Sequence, residues 1–371
     1  MHQDIAEDPR FLSDQLITCL GNKRALLPLI GQAFDEILQD TDRRRVRFFD
    51  VFSGSGIVSR FARKYAGLIV ANDLEPYAEV INRCYLGPAE AVDDPRFIAA
   101  HRDISDRLDT GPLESGIIAN HYAPRDDGAI QPGERVFYTN RNARFLDTAR
   151  QAIARVDPAW QPLLLAPLLS EASVHANTAG VFKGFYKNRD TGIGTFGGKK
   201  GDALSRIRGD ISLPRPVTST FPVESIILRG DANEICRTAP TVDIAYLDPP
   251  YNQHPYGSNY FMLNLLVKYT EPERMSRVSG IPSAWQRSQY NRKKAAADAL
   301  EDLVATIRAR HVLVSFNSEG FISRDTMERI LSAHGRVTTR SVSYNTFRGS
   351  RNLRNRDLRV TEFLYILEKK P

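Results

Sequence analysis

The stretch VRFFDVFSGSGIVSRFARKYA (Val46–Ala66), followed by LIVANDLEPYAEVINRCY (Leu68–Tyr85), decides the fold. Each half opens with a short apolar run, crosses a turn rich in glycine or acid, and continues with apolar residues at helical spacing. Two strand–loop–helix units in a row predict a parallel α/β sheet. The first turn holds Gly54 and Gly56, which would let a ligand approach the backbone beside a helix start. The third glycine of the dinucleotide fingerprint is missing, and Ser59 stands in its place. A tight βα turn with no ligand would use the same two glycines. The second unit adds Asp73 at its strand end, where a carboxylate can accept hydrogen bonds from ribose hydroxyls or cap the helix that starts near Glu75.

Working outward, GNKRALLPLIGQAFDEIL (Gly21–Leu38) has helical spacing from about Lys23 to Leu38, with Pro28 tolerable only near the first turn. After Leu86 the βα grammar stops. Up to about Pro222 the chain is loop-rich, with helical stretches such as ARFLDTARQAIARV (Ala143–Val156) and PLLLAPLLSEASVHA (Pro162–Ala176). The α/β pattern resumes with a strand in VESIILRGD (Val223–Asp231). A second strand, Val242–Leu247, is followed by helices through Ala309 and a further strand in HVLVSFNSEGF (His311–Phe321). Arg336–Tyr344 and Arg359–Lys369 alternate as antiparallel strands do. The expected organisation is one α/β domain in two parts, 1–86 and 223–371, with an inserted smaller domain at 87–222.

The chain has 371 residues and 42% hydrophobic content, ordinary for a globular protein with a real core. No apolar run approaches the roughly 18 residues needed to span a bilayer. The N-terminal MHQDIAEDPRFLSDQ (Met1–Gln15) lacks a basic-then-apolar leader pattern. Cys19, Cys84 and Cys236 lie far apart, with no C-x-x-C pair. That spacing argues against a disulfide framework and against zinc. A reduced cytoplasm is the expected home, with neither membrane nor metal as partner. The net charge of +6 is unevenly placed: Gly180–Asp210 and Asn345–Arg359 are strongly basic and rich in glycine or asparagine. Such clusters suit a polyanion, although solvated basic loops look the same.

The chemistry concentrates in YLDPPYNQHPYGSNYF (Tyr246–Phe261). Pro249 and Pro250 must stop the preceding strand and leave carbonyls unpaired. The stiff turn presents the Asp248 carboxylate, a free backbone carbonyl and the Tyr251 ring side by side. A flat heterocycle with an exocyclic amino group would fit it, and so would an ordinary strand-ending turn. Asp231 is a third acidic strand end, able to accept from an adenine amino group or to cap a helix. Three acidic strand ends and a glycine turn describe a nucleoside pocket at the carboxyl edge of a parallel sheet. The Asp248–Tyr251 turn belongs to the same edge, which is the arrangement for group transfer between two neighbouring sites.

The order LGNKRALLPLI (Leu20–Ile30), DVFSGSG (Asp50–Gly56), ND (Asn72–Asp73), a long variable segment, GDA (Gly230–Ala232), DPPY (Asp248–Tyr251) and VSFNSEG (Val314–Gly320) resembles the α group, or Dam-type family, of adenine-N6 DNA methyltransferases. That family includes methylases of type II restriction systems. The likeness covers most of the chain outside 87–222. It implies a seven-stranded Rossmann-like sheet, S-adenosylmethionine as cofactor, and methyl transfer to the N6 amino group of an adenine flipped out of double-stranded DNA. Under it, Lys23 lies near the methionine moiety, and Asp50, Phe52, Ser53, Gly54 and Gly56 form the cofactor cradle. Asp73 holds the ribose, and Asp231 with the Ala232 backbone holds the adenine. Asp248 and the Pro249 carbonyl receive the target amine, Pro250 completes the turn, and Tyr251 stacks on the base. Residues 87–222 become the target-recognition domain.

Phosphate contacts are expected from Lys183, Lys187, Arg189, Lys199 and Lys200 in that domain, and from Arg348, Arg351, Arg354 and Arg356 near the C-terminus. A role as the modification half of a restriction system would add a cognate endonuclease as functional partner. The rivals are methylation of an RNA base or of cytosine N4, and a catalytically silent DNA-binding relative. Cytosine-specific enzymes usually carry Ser where this chain has Asp248. An intact DPPY turn beside an intact glycine turn speaks against silence. A nicotinamide dehydrogenase is disfavoured by the missing third glycine.

Overall fold

The computed structural model describes residues 7–13, 16–17, 23–39, 41–197, 201, 203–345 and 359–370. The described residues form one seven-stranded sheet: β1 (Arg47–Asp50), β2 (Leu68–Asp73), β3 (Glu224–Arg229), β4 (Val242–Leu247), β5 (Ala309–Asn317), β6 (Gly335–Asn345) and β7 (Arg359–Lys369). Their order is β3-β2-β1-β4-β5-β7-β6. The first five run parallel, while β7 pairs antiparallel with both β5 and β6. The expected α/β class, the Rossmann-like sheet and the antiparallel C-terminal pair are all present. One local expectation fails: the helix before β5 is Ala296–Thr306, and Ala309 already begins the strand.

Burial explains why the inner strands read as nearly continuous apolar runs, since a parallel sheet is covered on both faces. Successive side chains still alternate. Phe49, Val70, Ala245, Leu247, Val312 and Val314 pack under the helices Ala232–Thr238, Ala296–Thr306 and Arg324–His334. Phe48, Ile69, Ala71, Ile244, Tyr246, Leu313 and Leu364 pack on the other face, against the helices Leu27–Leu38 and Ile57–Ala62. Pro28 falls in the first turn of Leu27–Leu38, where its missing N–H costs nothing, and Lys23–Leu26 forms a 3-10 turn before it.

The regular elements described in residues 87–222 are all helices, joined by long loops, with Pro95–Thr110, Asn140–Ile153 and Gln161–Val174 the longest. They share one apolar cluster with the rest of the chain. Leu146, Leu164 and Leu168 pack in it together with Ile81 and Tyr85 of the helix Pro76–Tyr85, and with Leu263 and Leu266 of the helix Phe261–Lys268. A smaller cluster of Val136, Phe196 and Ile207 belongs to the segment alone. Among the described residues no helix is long and apolar enough to cross a membrane.

Candidate active site

The topological switch between β1 and β4 leaves a crevice beyond the carboxyl ends of the parallel strands, where such sheets bind ligands. A cleft with about 960 Å³ of empty volume, counted out to its mouth, lies there. Lys23, Asp50, Phe52, Ser53, Gly54, Asp73, Asp231, Ala232, Asp248 and Pro250 all line it. Gly56 lies behind the wall as the N-cap of Ile57–Ala62. A second cleft adjoins the first through Pro250 and Tyr256, and Val181, Lys183, Tyr251, Asn252, His254 and Asn259 complete its lining.

The glycine turn is stapled in place. Gly54 and Gly56 both have positive φ, 51° and 71°. A side chain built on Gly54 would meet nothing within 4 Å, so this turn leaves open space above it. At Gly56 a Cβ would lie 2.3 Å from Asn82 Oδ1. Asn82 Nδ2 donates to Ser53 Oγ at 2.9 Å, and Ser53 Oγ donates to the Asn72 carbonyl at 3.0 Å. The departure at Ser59 has a use: its hydroxyl donates to Asp50 Oδ2 at 2.7 Å. Asp50 is 1% exposed, and its Oδ1 has no hydrogen-bond partner among the described residues. Burial raises its pKa to about 7, against the Ser59 hydrogen bond, with the Asp248 and Asp73 carboxylates adding to the rise.

Asp73 accepts from the Gly54 N–H at 2.8 Å and from the Glu75 N–H at 2.9 Å, so it ties the two βα turns together. Asp231 caps its helix, accepting from the Asn233 N–H at 3.0 Å. A loop that the sequence did not single out closes this end: Gln286, Ser288 and Asn291 line the cleft. Within it, Tyr290 packs edge-on against Phe52, with ring centroids 5.2 Å apart, and its hydroxyl donates to Asn233. Asn291 Nδ2 reaches the Asn252 carbonyl at 2.8 Å, joining this loop to the DPPY turn.

At that turn, the alternation that carries Ile244 and Tyr246 to one face carries Asp248 to the same side. Its Oδ1 takes Lys23 Nζ at 3.0 Å and Ser315 Oγ at 3.3 Å, while the Tyr246 hydroxyl donates to Ser315 at 2.8 Å. Oδ2 takes no hydrogen bond from the described residues. Burial raises the Asp248 pKa to about 6; Lys23 opposes the rise and the Glu362 carboxylate adds to it. Lys23 Nζ also pairs with Glu362 at 2.9 Å. Sequence reasoning missed Glu362 and Ser315, although Glu362 stands on the strand face that continues with the apolar Leu364 and Ile366.

Tyr260 and Phe261 are fully buried and serve helix packing, while Tyr256 stacks on Tyr260 at 5.9 Å between centroids and forms a wall of both clefts. Of the basic candidates, Lys183 reaches the second cleft, 3.3 Å from His254 Nδ1. Lys187 and Arg189 are exposed, Lys187 over the Phe185 ring. Lys199, Lys200, Arg348, Arg351, Arg354 and Arg356 lie outside the described residues. Among the described residues no group of three or more His, Cys, Asp or Glu side chains could hold a metal ion.

Residues 20–330 match the D12 class N6 adenine-specific DNA methyltransferase family. The chain is 30% identical over 353 residues to the type II methyltransferase M.CviAII of Paramecium bursaria Chlorella virus 1, covering 94% of this chain and 97% of that protein. It is 28% identical over 330 residues to the type II methyltransferase M.NlaIII of Neisseria lactamica, covering 87% and 90%. A likeness to the type II methyltransferase M.FokI of Planomicrobium okeanokoites, at 25% identity, covers 94% of this chain and 52% of that longer protein.

Proposed function

Because the chain belongs to the D12 class N6 adenine-specific DNA methyltransferase family, we propose that its two adjoining clefts divide the labour of adenine methylation, S-adenosylmethionine in the first and a flipped-out adenine in the second. It acts as the modification enzyme of a restriction system, in keeping with the type II relatives, and a cognate endonuclease is its functional counterpart.

The first cleft fits the cofactor by its donor set. Gly54 leaves room above the backbone, Asp50 offers a buried oxygen with no partner among the described residues, and Asp73 and Asp231 offer carboxylates at two further strand ends. Asp73 would accept the ribose hydroxyls and Asp231 with the Ala232 backbone the adenine, while Asp50 and Lys23 face the charged methionine end. Bound there, S-adenosylmethionine supplies an electrophilic methyl group on a sulfonium, which needs no metal.

The single observation that carries the reading is the asymmetric holding of Asp248: Oδ1 is occupied by Lys23 and Ser315, and Oδ2 is left without a partner among the described residues. The N6 amine of adenine is a poor nucleophile because its lone pair is delocalised into the ring. Asp248 Oδ2 and the Pro249 carbonyl accept its two N–H groups, which favours a pyramidal nitrogen with the lone pair out of the ring plane. The same fixed acceptors stabilise positive charge as it develops on nitrogen. Tyr251 and Tyr256 replace the stacking that the base loses on leaving the duplex. Lys183, Lys187 and Arg189, with the basic C-terminal cluster, hold phosphates.

The test is methyl transfer from labelled S-adenosylmethionine to unmethylated genomic DNA, with modified positions mapped by single-molecule sequencing. The expected result is N6-methyladenine within one short motif, lost in Asp248→Ala. Label in RNA or on cytosine, or undiminished transfer by Asp248→Ala, would overturn the assignment.

A further inference from the structure

Asp248 is held by Lys23, and Lys23 is held in turn by Glu362. Glu362 sits on β7, 1% exposed, on the face that continues with the core residue Leu364. Register places it at this edge: β7 pairs Leu364 with Ser315 and Glu362 with Asn317 of β5, while β5 pairs Leu313 with Tyr246 of β4. One residue parity therefore brings Tyr246, Asp248, Ser315 and Glu362 to one side of the sheet, over the 3-10 turn that carries Lys23. A buried carboxylate on an apolar face is costly unless it is paired. Its ammonium partner is itself 5% exposed and is shared between two carboxylates, at 2.9 and 3.0 Å. Lys23 and Asp248 line the cofactor cleft, and Glu362 does not.

We propose that Glu362 is a positioning residue for methyl transfer: by anchoring Lys23 Nζ from behind, it fixes the ammonium against Oδ1 of Asp248 and leaves Oδ2 turned to the target amine. This rests on the role given to Asp248 above. An ammonium has three donors on a flexible stem. Tied to Asp248 alone, it could pivot toward the second oxygen. Tied also to a rigid strand, it holds one position. The charged and titratable groups around it are Tyr246 from β4, Asp248, Tyr251 and Tyr256 from the segment after β4, and Glu362 from β7; Asp50 from β1 acts on Asp248, which also meets the neutral Ser315 from β5. Burial opposes the charge on Lys23, but the two carboxylates raise its pKa well above the usual value, so the anchor stays charged. Glu362 also raises the pKa of Asp248.

The experiment is the pH profile of methyl transfer to unmethylated DNA by wild type, Glu362→Gln, Glu362→Asp and Asp248→Ala, with folding checked by near-UV circular dichroism. In Glu362→Gln the expected kcat is lower by roughly 10- to 100-fold, the order expected when a reacting group is misplaced. The KM for DNA stays unchanged, and the acid limb moves to lower pH because a charge that raised the Asp248 pKa is gone. Glu362→Asp, which keeps the charge, returns the acid limb toward its wild-type position. A folded Glu362→Gln with wild-type kcat and an unmoved acid limb overturns the inference, as does a loss confined to thermal stability. If that variant does not fold, Lys23→Met is compared with Lys23→Met/Glu362→Leu, which removes the buried pair altogether. Equal kcat in these two supports action through Lys23, and a further loss in the double variant overturns it. Retained transfer by Asp248→Ala would instead sink the reading of Asp248, whatever Glu362 does.

Discussion

At the scale of single residues, the site is a set of carboxylates kept apart by what each one touches. Asp248, with its pKa raised to about 6, is in the proposed role the stronger acceptor of an amine N–H when ionised. Methyl transfer is therefore expected to fall on the acid side with a midpoint near pH 6, and a kcat/KM profile between pH 5 and 8 checks it. Asp50 makes a stability prediction. Its folded-state pKa, about 7, lies above the value of an unfolded chain. Below the unfolded value both states are protonated and there is no penalty. The penalty grows as pH rises toward 7 and is complete above it. The isosteric Asp50→Asn should therefore stabilise the cofactor-free protein, by a larger margin at pH 8 than at pH 4.5. Thermal unfolding at the two pH values reads this out. The same variant should bind S-adenosylmethionine more weakly.

Single elements are governed by the turns that join them. The loop between β1 and Ile57–Ala62 depends on a left-handed residue at Gly56 and on Asn82 reaching across from Pro76–Tyr85. Gly56→Ala adds left-handed strain of about 1–2 kcal/mol and drives a methyl group against Asn82 Oδ1, 2.3 Å away. We expect a lower melting temperature together with weaker cofactor binding, since the staple that shapes the cradle is displaced. Gly54 has open space above it and only the φ penalty. A melting temperature in Gly56→Ala equal to that of wild type would remove Asn82 from this role.

Across the whole molecule, 87–222 and the sheet domain are joined by a common core. Ile81, Tyr85, Leu263 and Leu266 bury their apolar surface against Leu146, Leu164 and Leu168. Replacing 87–222 with a short Gly/Ser linker would expose these side chains, each worth about 1.5–3 kcal/mol when buried. Such a chain should lose its cooperative thermal transition and bind a hydrophobic dye, whereas a compact two-state product would mean the sheet stands alone. DNA affinity belongs to this scale too. Lys187→Gln/Arg189→Gln should weaken DNA binding at low salt and lessen its salt dependence by roughly 0.7–0.9 per lost phosphate contact, leaving cofactor affinity intact.

The sequence by itself determined the repeated βα grammar, the strand limits Val242–Leu247, and the residues that meet at the carboxyl edge. These are local signals: proline and glycine act on their own backbone, and apolar period is written within a few residues. Asp73, Asp231 and Asp248 are strand-end residues of this kind, Lys23 and Asp50 come only with the family resemblance, and the fold brings all five to one cleft. Only the tertiary structure decided that Ser59 supports Asp50, that Ser315 and Glu362 reach the Asp248 turn, and that Gln286, Ser288 and Asn291 line the cleft. Glu362 lies over a hundred residues from Asp248 along the chain. It arrives only because β7 inserts antiparallel between β5 and β6, and no local pattern encodes that pairing. The common core of 87–222 with the sheet domain was hidden for the same reason. Local composition marks where a loop-rich segment begins and ends, and packing decides what it leans on.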